Sequence, residues 1–136
     1  MKKAMFICTG NSARSQIAEG LAKSLFINEY EVYSAGLKPK GVNPYAIKVM
    51  REIGIDISGQ KSKVIDEKRL NQMDLVITLC DNAQESCPVT PPSIQTLHWS
   101  LPDPSAFSGS EDEILESFRK IRDEIKTRIE RLLLNQ

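Results

Sequence analysis

The sequence has few of the residues that build metal centres and disulfide frameworks. Of its 136 residues one is histidine and three are cysteines, and no two cysteines are spaced as CxxC. A zinc site is therefore not expected, and we expect no bound cofactor. An odd number of cysteines also argues against a disulfide scaffold and favours reactive or buried thiols in a reducing compartment.

Net charge and long apolar runs are missing as well. Lys and Arg number 18, as do Asp and Glu, which argues against nucleic acid or an anionic membrane as the main partner. No stretch approaches the ~20 apolar residues of a membrane-spanning helix. The apolar run after Lys2 and Lys3 is too short for a signal peptide. We therefore expect a cytoplasmic monomer with a single domain over residues 1–136.

Short apolar runs alternate with amphipathic stretches along the chain, which predicts an α/β fold. Strands are predicted at 3–8, 31–35, 75–79 and 96–99, and helices at 15–27, 43–53, 66–71 and 111–134. A long connection with at most a short helix is expected over 81–93. This alternation predicts three layers, with a four-stranded parallel sheet and helices on both of its faces.

The stretch that follows the first predicted strand carries the strongest chemical signal. It reads Cys8-Thr9-Gly10-Asn11-Ser12-Ala13-Arg14-Ser15 and leads into a predicted helix. A strand, a tight loop and a helix start gather backbone N–H groups around one point, which suits a tetrahedral oxyanion. Gly10 permits the tight backbone, and Arg14 offers a planar fork to two oxyanion oxygens. The same positive field favours a thiolate at Cys8, with the hydroxyl of Ser12 or Ser15 as its donor.

Other reactive side chains follow predicted strands and should meet this loop. Ligands of parallel sheets bind beyond the carboxyl ends of the strands, where Cys8, Cys80 and the Asp103 loop all fall. Asp103 has proline on both sides and suits a general acid, and a turn-capping Asp is the simpler alternative. Cys80 and Cys87 suit a thiol relay, although each alone is equally well explained as a buried or a loop thiol.

A second thiol beside Cys8 would make reduction possible. Attack by Cys80 on a Cys8–arsenate adduct can expel arsenite and leave a disulfide, which Cys87 can then take over as Cys80–Cys87. If the segment between Cys80 and Cys87 were helical, the two Cα atoms would be roughly 10 Å apart, whereas a disulfide needs about 4.4–6.8 Å. The segment must therefore loop out, and its polar residues favour that.

The whole chain resembles the thioredoxin-coupled arsenate reductases, which share the low-molecular-weight phosphatase fold. The matching segments are 8–12, 14–16, 18–20, 32–36, 41–44, 56–58, 74–76, 78–80, 87–88, 91–92, 98–99, 103–104 and 122–125. The resemblance implies that Cys8 is the nucleophile, Arg14 the oxyanion clamp and Asp103 the general acid, with Cys80 and Cys87 as the redox relay. It also implies arsenate as substrate, thioredoxin as reductant and a role in arsenic detoxification.

The chain departs from these relatives at two places. Position 13 is Ala, where relatives often carry a cysteine that lies outside the relay. Some relatives bind a monovalent cation beside the loop through residues that match Asn11, Glu19 and Ser34, together with an acidic residue. An ungapped count back from Cys80 puts Lys63 at the position of that acidic residue. We therefore expect either a cation near these residues or the Lys63 ammonium in its place.

Three other functions are open from the sequence. A low-molecular-weight protein tyrosine phosphatase, or a phosphatase of small phosphate esters, would use Cys8, Arg14 and Asp103 and ignore the other two cysteines. Phosphatases of this fold tend to carry aromatic residues just after Asp-Pro, whereas Ser105 and Ala106 follow here and Phe107 is the only aromatic there. This favours a small oxyanion, with weak phosphatase activity on the side. The remaining alternatives are an oxyanion sensor without turnover and coupling to glutaredoxin.

Overall fold

Strands and helices alternate along the chain as the sequence predicts. The structure, a computed structural model, describes residues 1–81 and 90–134. Its elements are β1 (Lys2–Cys8), α1 (Arg14–Leu25), β2 (Tyr30–Gly36), α2 (Pro44–Arg51), α3 (Glu67–Leu70), β3 (Leu75–Thr78), β4 (Gln95–His98), a 3₁₀ turn (Pro104–Ala106) and α4 (Glu111–Leu134). Most of the long connection predicted over 81–93, including Cys87, lies outside the described residues.

The four strands form one parallel sheet in the order β2-β1-β3-β4, which confirms the predicted sheet. Ile7 pairs with Ala35 on one side and with Thr78 on the other. The carboxyl ends of the strands therefore lie along the same edge of the sheet. Cys8 ends β1, an inner strand of the sheet. Residues that follow β2, β3 or β4 therefore lie at the same edge of the sheet as Cys8.

Side chains of β1 alternate between the two faces of the sheet. Ala4 and Phe6 belong to the larger cluster, which they share with α1, α2 and α4. Met5 and Ile7 belong to a smaller cluster that includes Leu70 of α3. Helices therefore cover both faces, and the three-layer arrangement is confirmed. Within the described residues no helix is long and apolar enough to cross a membrane.

Helix ends follow from local side chains. The Asn43 side chain accepts a hydrogen bond of 2.8 Å from the Tyr45 N–H, and Pro44 occupies the first turn of α2. The predicted helix over 15–27 starts at Arg14 and stops at Leu25. It stops early because Asn28 adopts a left-handed φ of 69°, which turns the chain toward β2.

A charged cluster joins the end of α2 to α4. Arg119 Nη2 donates to Glu52 Oε2 at 2.8 Å, and Arg122 Nη1 donates at 2.8 Å to both Glu52 Oε1 and the carbonyl of Val49. Hydrogen bonds from Arg119, and then those from Arg122, lower the pKa of Glu52 from 4.5 to about 2. The carboxylate form of Glu52 therefore stabilises the contact between the two helices.

We expect Glu52→Gln to lower the free energy of unfolding by about 1 kcal/mol near neutral pH, since the cluster is partly exposed and screened. Because the pKa of Glu52 is lower in the folded state, its contribution is full above pH 4.5 and disappears as the pH falls toward about 2. Urea unfolding as a function of pH measures this. Glu116→Gln is the control, since Glu116 contacts Arg119 within α4 alone, at 3.4 Å. A deficit for Glu52→Gln that is independent of pH would contradict the assignment.

Candidate active site

The loop between β1 and α1 has all its carbonyl groups bound from outside. The carbonyls of Thr9, Gly10 and Ser12 accept hydrogen bonds of 2.9–3.0 Å from backbone N–H groups of the segment after β2, those of Lys38, Lys40 and Asn43. Ser62 Oγ and Gln16 Nε2 donate to the carbonyl of Asn11 at 2.8 and 3.1 Å, and the Ala13 carbonyl accepts from Ile17 N–H at 2.9 Å. In a trans peptide the N–H points away from the carbonyl of the same peptide group. Because the carbonyls of the loop are bound on its outer side, its amides are turned toward the opposite, inner side. We call residues 8–15 the oxyanion loop.

Asn11 holds the middle of the oxyanion loop in a left-handed conformation, with φ at 43°. Its side chain is fully buried, and its Oδ1 accepts a hydrogen bond of 2.8 Å from the Lys63 N–H. Its Nδ2 donates to Ser15 Oγ at 2.8 Å and to Ser34 Oγ at 3.0 Å. The side chain thus compensates the strain of its own backbone and ties the loop to α1 and β2.

Cys8 Sγ lies 2.8 Å from Ser15 Oγ. Since Ser15 Oγ accepts a hydrogen bond from Asn11 Nδ2, its single proton can be donated to the sulfur. A donated proton stabilises a thiolate more than a thiol. The sequence proposed Ser12 or Ser15 as the donor, and the geometry favours Ser15.

Arg14 connects the ends of three strands. Its Nη1 donates to the carbonyl of Leu79 at 3.3 Å, directly after β3, and to that of Leu101 at 3.0 Å, after β4. Its Nη2 lies 3.7 Å from Asp103 Oδ2, and its side chain is 2% exposed. The guanidinium is therefore fixed at the rim of the oxyanion loop by groups that belong to neighbouring strands.

Asp103 serves two purposes with its two carboxyl oxygens. Oδ1 accepts hydrogen bonds from the N–H and the hydroxyl of Ser105, at 2.9 and 2.7 Å, and so caps the 3₁₀ turn. Oδ2 lies 3.7 Å from Arg14 Nη2, and Asp103 belongs to the lining of the cavity of the loop. The turn-capping alternative and the catalytic one are therefore compatible, because each uses a different oxygen. Ser105 had no predicted role, although an Asp followed two residues later by Ser is a common turn signal.

Cys80 follows β3 at the same edge of the sheet as Cys8. The Leu79 N–H donates to the carbonyl of Ile7 at 2.8 Å, so the chain reaches Cys80 directly beside the end of β1. Cys8 and Cys80 are both buried thiols, and no disulfide joins them. Cys87 lies outside the described residues.

The residues expected to surround a monovalent cation do lie together, and two ammonium groups already lie beside their one carboxylate. Ser34 Oγ donates to Glu19 Oε1, and Lys23 Nζ donates to Glu19 Oε2 at 2.7 Å. Lys63 Nζ lies 3.7 Å from Glu19 Oε1. With two ammonium groups beside this one carboxylate, the donor set does not fit a cation. Among the described residues no three His, Cys, Asp or Glu side chains are grouped to hold a metal ion.

The oxyanion loop encloses a cavity of about 240 Å³, large enough for a small tetrahedral anion. Its lining is formed by Cys8, Thr9, Gly10, Ser12, Ala13, Arg14, Lys40, Asp103 and Ser105. Asn11 and Ser15, which the sequence also assigned to oxyanion binding, are fully buried and support the loop from behind. Lys40 and Ser105 are the lining residues without a predicted role. No local pattern marks Lys40, because its position depends on how the segment after β2 folds against the loop.

The chain is similar to proteins of known sequence and structure. Residues 3–136 match the family described as low molecular weight phosphotyrosine protein phosphatase. The chain is 51% identical over 124 residues to an arsenate reductase of Bacillus subtilis, covering 91% of this chain and 89% of that one. A solved arsenate reductase in a phosphate-binding state superposes with a TM-score of 0.81 at 42% identity, over 99% of this chain and 98% of that one. A thioredoxin-dependent arsenate reductase of Corynebacterium glutamicum gives 0.72 at 28%, over 100% of this chain and 64% of that one.

Gly36 at the end of β2 has no room for a side chain. A Cβ there would lie 2.7 Å from Asn11 N, 2.8 Å from Thr9 O and 2.9 Å from Cys8 O, all of them backbone atoms of the oxyanion loop. We expect Gly36→Ala to displace the loop and to lower the free energy of unfolding by about 1–3 kcal/mol. Phosphate affinity should fall by about tenfold or more, because charge-assisted hydrogen bonds are lost.

Urea unfolding and calorimetry with inorganic phosphate measure the two effects. Gly59→Ala is the matched control, since no atom lies within 4 Å of a Cβ at that position, and it should leave both quantities unchanged. Phosphate binding at the wild-type level in Gly36→Ala would show that the loop does not depend on this close approach.

Proposed function

The chain belongs to the family of low-molecular-weight phosphotyrosine protein phosphatases, and from that premise we propose that it is an arsenate reductase with Cys8 as its nucleophile. One observation carries this proposal. A second buried thiol, Cys80, follows the strand next to the one that ends in Cys8, and the Arg14 side chain bonds to the residue just before it. Hydrolysis of a phosphate ester needs one thiol, whereas reduction needs a second one within reach.

In the first step, the Cys8 thiolate attacks arsenic while the amides of the oxyanion loop and Arg14 bind the arsenate oxygens. A hydroxyl group on arsenic leaves as water, with its proton supplied by Asp103 Oδ2. Ser15 Oγ, 2.8 Å from Cys8 Sγ, stabilises the thiolate before the attack. The product is a Cys8–arsenic adduct in which arsenic is still pentavalent.

In the second step, the Cys80 thiolate attacks Cys8 Sγ. The sulfur–arsenic bond breaks and its electron pair stays on arsenic, so arsenate is reduced to arsenite by two electrons. The two thiols are oxidised to a Cys8–Cys80 disulfide, and arsenite leaves. Phosphorus has no comparable two-electron reduction under these conditions, which is why the second thiol favours arsenate.

In the third step, the Cys87 thiolate attacks Cys80 and releases Cys8 as a thiolate, which leaves a Cys80–Cys87 disulfide. A dithiol protein then reduces this disulfide, and we propose thioredoxin because a similar protein of Corynebacterium glutamicum is thioredoxin-dependent. Cys8, Cys80 and Cys87 thus form the relay, and no cofactor takes part. We further propose a cytoplasmic monomer that acts in arsenic detoxification.

The test is steady-state NADPH oxidation with arsenate, thioredoxin and thioredoxin reductase. The wild type should turn over continuously, while Cys87→Ser should stop after a single reduction event, because the first disulfide cannot be passed on. Cys8→Ser should show no reaction. Continuous turnover in Cys87→Ser would exclude the three-thiol relay.

A phosphatase is the second candidate, because the family match and the lining of the cavity suit phosphate equally well. Under this alternative, hydrolysis of an aryl phosphate would be fast and arsenate-dependent NADPH oxidation would be absent. Under our proposal, hydrolysis is a weak side activity. Neither outcome of the hydrolysis assay depends on Cys87, so the two assays together separate the functions.

Ser105 should affect the rate through Asp103. Ser105→Ala removes the 2.7 Å hydrogen bond to Asp103 Oδ1 and keeps the one from the backbone. We expect kcat for arsenate to fall by about fivefold with little change in KM, since one hydrogen bond that orients the acid is lost. Ser105→Thr, which keeps the hydroxyl, should restore most of the rate. Equal rates for the Ala variant and the wild type would show that Asp103 needs no support from this side chain.

A further inference from the structure

Lys40 lines the cavity of the oxyanion loop without belonging to that loop. The cavity has two cationic side chains in its lining, those of Arg14 and Lys40. Arg14 has a role in the proposed mechanism, and Lys40 has none. Lys40 lies at the cavity because the backbone around it packs against the oxyanion loop.

The backbone of the segment after β2 brings Lys40 to the cavity. The Lys38 N–H donates to the Thr9 carbonyl at 2.9 Å and the Lys40 N–H donates to the Gly10 carbonyl at 3.0 Å, so the segment runs alongside the oxyanion loop. Pro39 restricts the chain between the two lysines. Gly41 then turns the chain away with a φ of +83°.

The side chain of Lys40 lies across Gly10. A Cβ placed on Gly10 would be 3.3 Å from Lys40 Cδ and 3.5 Å from Lys40 Cγ. The methylene groups therefore cover the bare backbone of Gly10, and Lys40 itself belongs to the lining of the cavity. Long basic side chains commonly pack in this manner, with an apolar stem and a solvated head.

Without Lys40, the lining of the cavity would carry little net positive charge with which to bind a dianion. Arg14 already lies 3.7 Å from Asp103 and bonds to two carbonyl groups. In the proposed mechanism Asp103 carries a proton and Cys8 is a thiolate, so the thiolate alone already balances the guanidinium charge before any ligand enters. An incoming dianion would then meet little net attraction from side chains. The Lys40 ammonium supplies a further positive charge. Among the described residues, neither Asp103 nor Cys8 is paired with it.

We propose that Lys40 is a second oxyanion-binding residue, which attracts and holds the doubly charged substrate at the mouth of the cavity. The identity of that substrate as arsenate rests on the proposed function. The binding role itself does not, since inorganic phosphate carries the same charge and shape. Lys40 acts on binding, so its effect belongs in KM and in anion affinity, with kcat largely unchanged.

Lys40→Met, which keeps the stem over Gly10 and removes the charge, tests the proposal. We expect KM for arsenate and the Kd for inorganic phosphate each to rise by about fivefold, with kcat within about twofold of the wild type. The salt dependence of kcat/KM should become shallower. Lys40→Arg should restore affinity. Lys38→Met is the matched control, because Lys38 is an exposed lysine of the same segment that does not line the cavity.

Equal phosphate affinities for Lys40→Met and Lys38→Met would overturn the proposal. If the wild type failed to reduce arsenate but phosphate binding still weakened in Lys40→Met alone, the proposed function would fail and the role of Lys40 would stand. If arsenate were reduced with unchanged KM in Lys40→Met, the role of Lys40 would fail and the proposed function would stand. A thermal melt at the wild-type temperature excludes misfolding as the cause of any loss.

Discussion

The carbonyl oxygens of residues 9–13 are all bound from outside the oxyanion loop, and the active site depends on this arrangement. A loop of this length could satisfy its carbonyls in many ways, and most of them would leave amides pointing in several directions. Here the segment after β2, Ser62 and the first turns of α1 take up every carbonyl. The amides are left to converge on the other side. The anion site is therefore built by residues that never touch the anion, and Gly36 is one of them because only a bare Cα lets β2 come so close.

Asn11 makes this arrangement compatible with a reactive thiol. Its side chain links the left-handed turn of the loop to Ser15, whose hydroxyl lies 2.8 Å from Cys8 Sγ, and to Ser34, which donates to the buried carboxylate of Glu19. Two ammonium groups, of Lys23 and Lys63, neutralise that carboxylate. The loop is thus held by a hydrogen-bonded chain that ends in a lysine pair. The two ammonium groups already neutralise the carboxylate that a bound cation would need. The loop is therefore stabilised by side chains of the chain itself.

The sequence was sufficient for the elements that follow from periodicity and from local capping. The strand that ends in Cys8 and the helices predicted over 43–53 and 66–71 are all found, because each depends on neighbours in the chain. Lys40, Ser105 and Gly36 could not be assigned in the same way. Lys40 and Gly36 act through contacts with a loop some thirty residues earlier, and only the register between β1 and β2 creates those contacts. Ser105 has a local signal, but that signal indicates only a turn. Its importance depends on Asp103, whose Oδ1 caps the turn while its Oδ2 lies beside Arg14.

The contacts of Arg14 explain how one fold can support both hydrolysis and reduction. Its guanidinium bonds to the carbonyls of Leu79 and Leu101, which precede Cys80 and Asp103 by one and two residues. The oxyanion loop, Asp103 and the chain just before Cys80 are therefore linked through the Arg14 side chain. In the proposed mechanism, hydrolysis and reduction of the covalent intermediate differ in the side chain that follows Leu79. If it is inert, water must resolve the covalent intermediate; if it is a thiol, as in this chain, the intermediate meets a nucleophile that can accept a bond to sulfur. On the proposed mechanism, reduction thus requires no new anion site. Cys80 follows a strand that the fold places beside the one ending in Cys8, and Cys87 then takes over the disulfide.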